Sequence, residues 1–318
     1  MPIEMTEART KEELDAEVRK ILRGRSRRDF LIGGLAAVAA GGLFEGLYHA
    51  DQILGAQWPL RKVLEGNRVL TNALFRQKVL APTYKPKEVT GLRINGTFGL
   101  DPKLMQSSWG LQVVGLERPM QYRQFVKDVD LWEYKSADDG AAAPAETVGP
   151  DVKGNGKAAP EPAAAKPAAG DMPAAVPGVV LQIEDLRKLP YTEQITQFKC
   201  VEGWSQIVRW GGVRYSDFLK AYPPANVDGR PPKFAVMETS NGEYNASFDM
   251  ASLLHPQTLL CHTMDGRPLE PYHGAPLRLA MPLKYGYKQI KQIASITYGN
   301  ERVPDYWEKL GYDWYAGL

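Results

Sequence analysis

The chain has 318 residues, of which 44% are hydrophobic and 24% charged, an ordinary globular composition with room for one or two domains. The formal net charge of +2 excludes the strongly basic balance of a nucleic-acid-binding protein. With only Cys200 and Cys261, a disulfide framework and a four-cysteine zinc or iron–sulfur site are excluded, while one disulfide between the two cysteines stays open.

The first feature in chain order is an apolar segment that follows a pair of arginines. Arg27 and Arg28 precede a short run at 30–43 that is rich in glycine and alanine. This pattern is typical of a twin-arginine export signal, and an arginine-flanked buried helix is the alternative. We therefore predict that residues 1–43 are a signal with a polar extension, read by the twin-arginine machinery, which directs the protein to the periplasm. The segment is either cleaved or kept as a membrane anchor.

The rest of the chain is predicted to form an arm and one interrupted domain. Helical spacing of apolar residues predicts a helical arm over 44–88. Strand-like alternation then begins near Val89, so we predict a single domain over 89–318. Within it, residues 136–177 consist mainly of alanine, proline and glycine and carry too few large apolar side chains to offset the entropy of ordering. We predict a disordered insertion there. The strand-like runs lie at 109–116, 179–186, 234–239 and 277–282.

Cys200 lies in the most informative motif of the chain. The run Phe198-Lys199-Cys200-Val201-Glu202-Gly203-Trp204-Ser205 resembles the molybdenum-binding segment of the sulfite oxidase superfamily. Blocks at 210–213, 265–269, 273–279 and 284–291 continue the resemblance in the same order. The residues that follow the cysteine are most similar to those of the periplasmic methionine sulfoxide reductase catalytic subunits within that superfamily.

The resemblance implies an α+β, sulfite oxidase-like, molybdopterin-binding fold with a β-rich, barrel-like core around the cofactor. It also implies one molybdenum–molybdopterin per chain, with the thiolate of Cys200 as a metal ligand beside the dithiolene sulfurs. Soft sulfur ligands suit a metal that cycles through high oxidation states. Considered alone, a cysteine is more often a buried structural residue, and Cys261 is assigned that role.

The resemblance extends to residues that would hold the pterin and its phosphate. Arg278, Lys288 and Lys291 are natural partners of an anion, although such charges more often face solvent. Gly286 permits close approach of the backbone. The predicted cofactor-binding set also contains Asn95, Thr239, His273, Tyr285, Gln289 and Ile290. An Asn-Gly turn is the alternative for Asn95. A surface role is the alternative for His273, where the sulfoxide reductases tend to have asparagine.

Three functions remain open from the sequence. The first is a molybdenum reductase that takes oxygen from a sulfoxide, such as protein methionine sulfoxide, or from a related S- or N-oxide. Since no haem, flavin or nicotinamide signature is found, electrons must come from a partner, and the resemblance implies a membrane haem protein. The second is a sulfite dehydrogenase, ranked lower because neither Arg209 nor Arg214 takes the family's sulfite-binding place. The third is a non-catalytic binding module.

Overall fold

The structure is a computed structural model. It describes residues 79–137 and 175–318 without a gap, the segment 56–74, and isolated residues or pairs between 42 and 53. Almost all of the predicted export segment, and residues 138–174 of the predicted insertion, therefore lie outside the described residues. The chain divides into two compact units between Val63 and Leu64. No helix in the described ranges is long and apolar enough to cross a membrane.

The N-terminal part contains a small hairpin and one long helix. Strands β1 (Gln52–Ile53) and β2 (Ala56–Gln57) pair antiparallel, and helix α1 (Trp58–Leu74) follows directly. Helix α1 falls inside the predicted arm at 44–88.

The larger unit contains a six-stranded sheet. Its strands in spatial order are β4 (Phe125–Val126), β5 (Gly178–Leu181), β3 (Leu111–Val114), β13 (Ile293–Gly299), β8 (Phe234–Thr239) and β9 (Asn245–Asp249). Every pairing is antiparallel except that of β13 with β3. Alternate residues of β3 and β8 are buried, including Leu111, Val113, Ala235 and Met237, and these side chains form much of the main core. The predicted strand at 234–239 is confirmed as β8.

A second sheet positions Cys200. It contains β6 (Tyr191–Lys199), β7 (Ser205–Arg214), β10 (Leu259–Met264), β11 (Arg267–Pro268) and β12 (Arg278–Ala280). The order is β11-β10-β7-β6, and β12 pairs with β10. Strands β6 and β7 form a long hairpin whose last pair is Lys199 with Ser205, so residues 200–204 are its turn.

Short helices complete the larger unit: α2 (Ile183–Arg187), α3 (Tyr215–Ala221), α4 (Met250–Leu253) and α5 (Tyr306–Lys309). The predicted α+β class with a β-rich core is confirmed. Instead of a closed barrel, the described part of the larger unit contains two open sheets. The visible ends of the insertion are anchored, because Ser136 bridges to Leu104 and the Val129 amide donates to the Val176 carbonyl over 2.9 Å.

Candidate cofactor site

A cavity of about 200 Å³ opens beside the turn of the β6–β7 hairpin. Four groups of residues line it: residues from the segment 92–98, the hairpin turn with Phe198, residues 286, 287 and 289–291 with His273 and Arg278, and the aromatic residues Tyr244, Trp307 and Tyr312. These groups are far apart in sequence, so the site exists only in the folded chain. Its lining combines a thiol, cations and aromatic rings.

The hairpin turn fixes the direction of the Cys200 side chain. The Cys200 amide donates to the Trp204 carbonyl over 2.9 Å, and the Gly203 amide donates back to the Cys200 carbonyl over 3.1 Å. Gly203 has φ +88°, a left-handed conformation in which a side chain would be strained. Cys200 is 8% exposed, belongs with Phe198 to a small apolar cluster against which Leu92 and Trp204 pack, and lines the cavity.

Two polar side chains contact the sulfur. Asn95 Nδ2 lies 3.6 Å from Cys200 Sγ, and Glu202 Oε2 lies 3.6 Å from it on another side. Burial raises the pKa of the Cys200 thiol, and the negative charge of Glu202 adds to this. A bound cation reverses that balance, since coordination stabilises the thiolate.

Glu202 contacts both Cys200 and two further side chains of the cavity lining, Trp204 and Arg93. Its Oε2 accepts a hydrogen bond from Trp204 Nε1 at 2.8 Å and lies 3.7 Å from Arg93 Nη2. The Arg93 guanidinium carbon lies 3.9 Å from the centroid of the Trp204 ring. One carboxylate oxygen therefore contacts a thiol, an indole and a guanidinium.

Another wall of the cavity carries positive charge without a carboxylate beside it. Arg278 is 1% exposed, donates to the carbonyls of His273 and Gln289, and leaves its Nε without a partner among the described residues. Lys291 Nζ donates to the Asn95, Gly96 and Tyr272 carbonyls at 2.9, 2.7 and 3.2 Å. Within the described ranges neither cation forms a salt bridge. Charges of this kind are stabilised by a bound anion.

The pKa values of this wall show the cost of its uncompensated charge. Burial lowers the pKa of Arg278 to about 10, and burial together with Arg278 lowers the pKa of Lys291 to about 7. Burial, followed by the charges of Arg278 and Lys291, lowers the pKa of His273 to about 4. His273 is therefore neutral near pH 7 and offers its ring for hydrogen bonding.

The structure brings eight of the eleven predicted site residues to this cavity. Those eight are Asn95, Cys200, His273, Arg278, Gly286, Gln289, Ile290 and Lys291. Gly96, the residue after Asn95, has φ +64°, a left-handed conformation that favours glycine. Cys200 and Cys261 are both free, so the alternative of a disulfide is not realised, and Cys261 is fully buried as expected.

Three predicted residues lie outside the cavity lining. Thr239 is buried and donates to Asn241 Oδ1 at 2.8 Å. The Tyr285 ring stacks on Tyr287 at 6.4 Å between centroids. Lys288 is 2% exposed and pairs with the carboxylate of Asp305, so its charge is compensated inside the protein instead of at the cavity.

The arrangement fits a molybdopterin. The Cys200 sulfur is a soft ligand at one side of the cavity, and Arg278 with Lys291 supplies unpaired positive charge for a phosphate at another. The backbone at Gly286 packs closely against the Phe198 ring in the cavity lining. Only glycine fits there, since a Cβ would lie 2.2 Å from that ring.

Comparison with known proteins decides what this region is. Residues 175–307 match the family model described as the oxidoreductase molybdopterin binding domain. Over this segment, which is less than half of the chain, the sequence is similar to a molybdopterin-binding oxidoreductase domain. The predicted resemblance to molybdopterin-dependent oxidoreductases is thereby confirmed, and the domain contains every predicted site residue except Asn95. The match implies a molybdenum cofactor for the molybdopterin-binding domain.

Curated relatives match less than half of the chain. A putative protein-methionine-sulfoxide reductase subunit YedZ1 of Azospira oryzae is 39% identical over 135 residues, 42% of this chain and 50% of the relative. The protein-methionine-sulfoxide reductase catalytic subunit MsrP of Campylobacter jejuni is 33% identical over 155 residues, covering 44% and 52%. The chain therefore spans about half the length of the curated relatives that it matches.

The chain was also compared with solved structures. The sulfane dehydrogenase SoxCD of Paracoccus pantotrophus aligns with a TM-score of 0.36 and 22% identity, over 40% of this chain and 36% of that chain.

Sequence reasoning missed several residues of the cavity. Glu202 and Trp204 lie inside the motif around Cys200. The motif was used to identify the family resemblance, but neither residue was predicted to line the site. Arg93 and the aromatic pair Trp307 and Tyr312 lie far from the motif in sequence. Only the tertiary fold brings those three residues to the cavity beside Cys200.

Proposed function

We propose that this chain is an exported, molybdenum-dependent oxidoreductase that reduces a sulfoxide, such as protein methionine sulfoxide, or a related S- or N-oxide. The observation that carries the proposal is one cavity holding both the Cys200 thiol and the unpaired charges of Arg278 and Lys291. The relatives, which are named as methionine sulfoxide reductase subunits, support the substrate class.

The surroundings of Cys200 favour a neutral organic sulfoxide. Leu92, Phe198 and Trp204 line the cavity together with Cys200 and offer apolar surface for the alkyl groups of such a substrate. The bound cofactor would supply two-electron oxygen-atom-transfer chemistry. The protein's part is to hold it, through Cys200 at the metal and Arg278 and Lys291 at the phosphate, and to exclude bulk water.

Sulfite oxidation is the second candidate. Arg93 at the cavity mouth is the observation in its favour, because a guanidinium can bind an oxyanion. Glu202 opposes it, since its carboxylate stands 3.6 Å from the sulfur and repels a dianion. Sulfoxide reduction therefore ranks first.

Electrons for the reduction would come from a membrane haem protein, and the twin-arginine machinery would export the chain to the periplasm. The sequence supports both parts, through its signal at 26–43 and through the lack of any haem, flavin or nicotinamide signature of its own.

The test begins with the molybdenum content of protein purified from a host that makes the cofactor. Loaded protein is then assayed with a reduced viologen dye and methionine sulfoxide, and separately with sulfite and an oxidised acceptor. Sulfoxide reduction without sulfite oxidation is the expected result. Sulfite turnover alone would reverse the ranking, and protein without molybdenum would leave a binding module as the remaining function.

A further inference from the structure

Arg93 is held beside Cys200 by contacts that do not involve its own charge. The preceding segment runs along β7, where the Thr90 amide donates to the Ile207 carbonyl over 2.9 Å and the Ile207 amide donates to Thr90 Oγ1 over 3.0 Å. The Arg93 amide itself donates to Gln206 Oε1 over 2.8 Å. The backbone at this position is thus anchored to a strand, so the placement of the side chain is built into the fold.

The contacts of the Arg93 side chain leave some of its N–H donors available to a ligand. Its guanidinium lies on the Trp204 ring, and Nη2 is 3.7 Å from Glu202 Oε2. A guanidinium carries five N–H donors in a rigid plane, so several remain for a ligand. The side chain is 47% exposed and lines the cavity, which makes those donors reachable from solvent.

The Arg93 guanidinium also lies close to the sulfur of Cys200. Cys200 Sγ is 3.6 Å from the same Glu202 oxygen, so Nη2 and Sγ are no more than 7.3 Å apart. A small substrate can span that separation with its oxygen near Arg93 and its sulfur near the thiol. Trp204 lines the cavity beside Arg93, where it can contact the substituents of the substrate, because aromatic rings make favourable contacts with sulfur and alkyl groups.

Charge decides which ligand fits. Glu202 already compensates part of the Arg93 charge, so the pair as a whole is close to neutral. An ionic substrate would gain little from such a pair, whereas a neutral molecule with one strongly accepting oxygen can use the remaining donors. A sulfoxide has this character, because its S–O bond is highly polarised.

We propose that Arg93 binds the oxygen of a neutral sulfoxide and that Trp204 receives one of its apolar substituents. This inference rests on the proposed function and adds the residues that recognise the substrate. In the reaction, the S–O bond breaks, and two electrons from the reduced donor and two protons convert the sulfoxide into a thioether and water. Arg93 holds the oxygen that leaves, and the thioether product lacks that hydrogen bond.

The experiment compares binding of dimethyl sulfoxide and dimethyl sulfide to oxidised, molybdenum-loaded protein by calorimetry. Without a reductant there is no turnover, so both ligands can be measured at equilibrium. The native protein is expected to prefer the sulfoxide. Arg93→Gln should weaken sulfoxide binding about ten- to a hundredfold, with little change for the sulfide, and Arg93→Lys should restore part of the loss. The matched control is Arg118→Gln, since Arg118 also pairs with a neighbouring glutamate but lies outside the cavity lining.

Three outcomes overturn the inference: a native protein that does not prefer the sulfoxide, an Arg93→Gln variant that keeps the preference, and a variant that loses both ligands equally. Turnover separates this inference from the proposed function. If native protein with reduced dye reduces methionine sulfoxide while Arg93→Gln keeps the binding preference, only the inference fails. If the native protein reduces no sulfoxide, the proposed function fails as well.

Discussion

Lys291 Nζ donates a hydrogen bond to the carbonyl oxygen of Asn95 over 2.9 Å, and these two residues are 196 positions apart in the chain. The side chain of the same Asn95 reaches Cys200 Sγ at 3.6 Å. Asn95 therefore connects the positively charged wall of the cavity to its thiol. Changes at either side are expected to alter how the whole cofactor is held.

Anion binding by the positive wall should depend on pH. Lys291 has its pKa lowered to about 7, so it is mostly charged at pH 6 and mostly neutral at pH 9. Sulfate, which stays a dianion over this range, should raise the melting temperature of cofactor-free protein more at pH 6 than at pH 9. Lys291→Gln should remove most of the pH dependence, whereas Lys220→Gln, at an exposed position outside the lining, should keep it. Equal pH dependence in the native protein and Lys291→Gln would contradict this role.

His273 should make the cofactor-free protein sensitive to acid. Its pKa is lowered to about 4 in the folded protein, against about 6.5 in an unfolded chain, so the folded state binds the proton less well. The stability contribution is complete above pH 6.5 and is lost as the pH falls toward 4, by at most about 3 kcal/mol.

Replacement by asparagine tests that assignment. His273→Asn cannot take up a proton, so its free energy of unfolding, measured by urea denaturation, should fall less than that of the native protein between pH 6.5 and 4. Parallel losses in the two proteins would show that other groups cause the acid sensitivity.

Glu202 should set the preference between neutral and anionic substrates. Its carboxylate lies 3.6 Å from Cys200 Sγ, where it repels a sulfite dianion. In Glu202→Gln this repulsion is absent, so the ratio of sulfite oxidation to sulfoxide reduction should rise relative to the native protein. Glu117→Gln removes a remote carboxylate that also pairs with an arginine, and it should leave the ratio unchanged. A ratio that does not move in Glu202→Gln would exclude Glu202 from substrate selection.

Gly286 should be required for packing beside the thiol. A Cβ at this position would stand 2.2 Å from the Phe198 ring, which is buried and stacks on Trp204 at 5.7 Å. Gly286→Ala should therefore destabilise the protein by about 1–3 kcal/mol and lower its molybdenum content. At Gly299 no atom lies within 4 Å of the added carbon, so Gly299→Ala is the matched control. Denaturation midpoints and metal analysis measure both effects, and similar values for the two variants would contradict the close packing.

Local sequence determined much of the fold. The strand at 234–239 follows from its alternating apolar residues, because side chains of a strand point to opposite faces in turn. The run at 277–282 contains the shorter strand β12, since Pro282 cannot donate to a ladder. The run at 179–186 divides into strand β5 and helix α2. The helix begins here because the Gln182 amide donates a hydrogen bond to the Asp185 carboxylate.

Residues of the site could be predicted only where they belong to a local sequence motif. Cys200 and the 289–291 segment carry their own signals, and both reach the cavity. Lys288 lies beside that segment but pairs with Asp305, the residue that caps the start of helix α5. Arg93 reaches the cavity through the pairing of its segment with β7, a long-range contact that no local pattern encodes.

The central claim is that Cys200 is a molybdenum ligand. X-ray absorption at the molybdenum edge tests it most directly, with native protein compared with Cys200→Ser and with Cys261→Ala as the control for the other buried thiol. We expect the native protein and Cys261→Ala to show the same sulfur shell, and Cys200→Ser to show one sulfur fewer or to lose the metal. A sulfur shell and metal content in Cys200→Ser that match those of the native protein would contradict the claim.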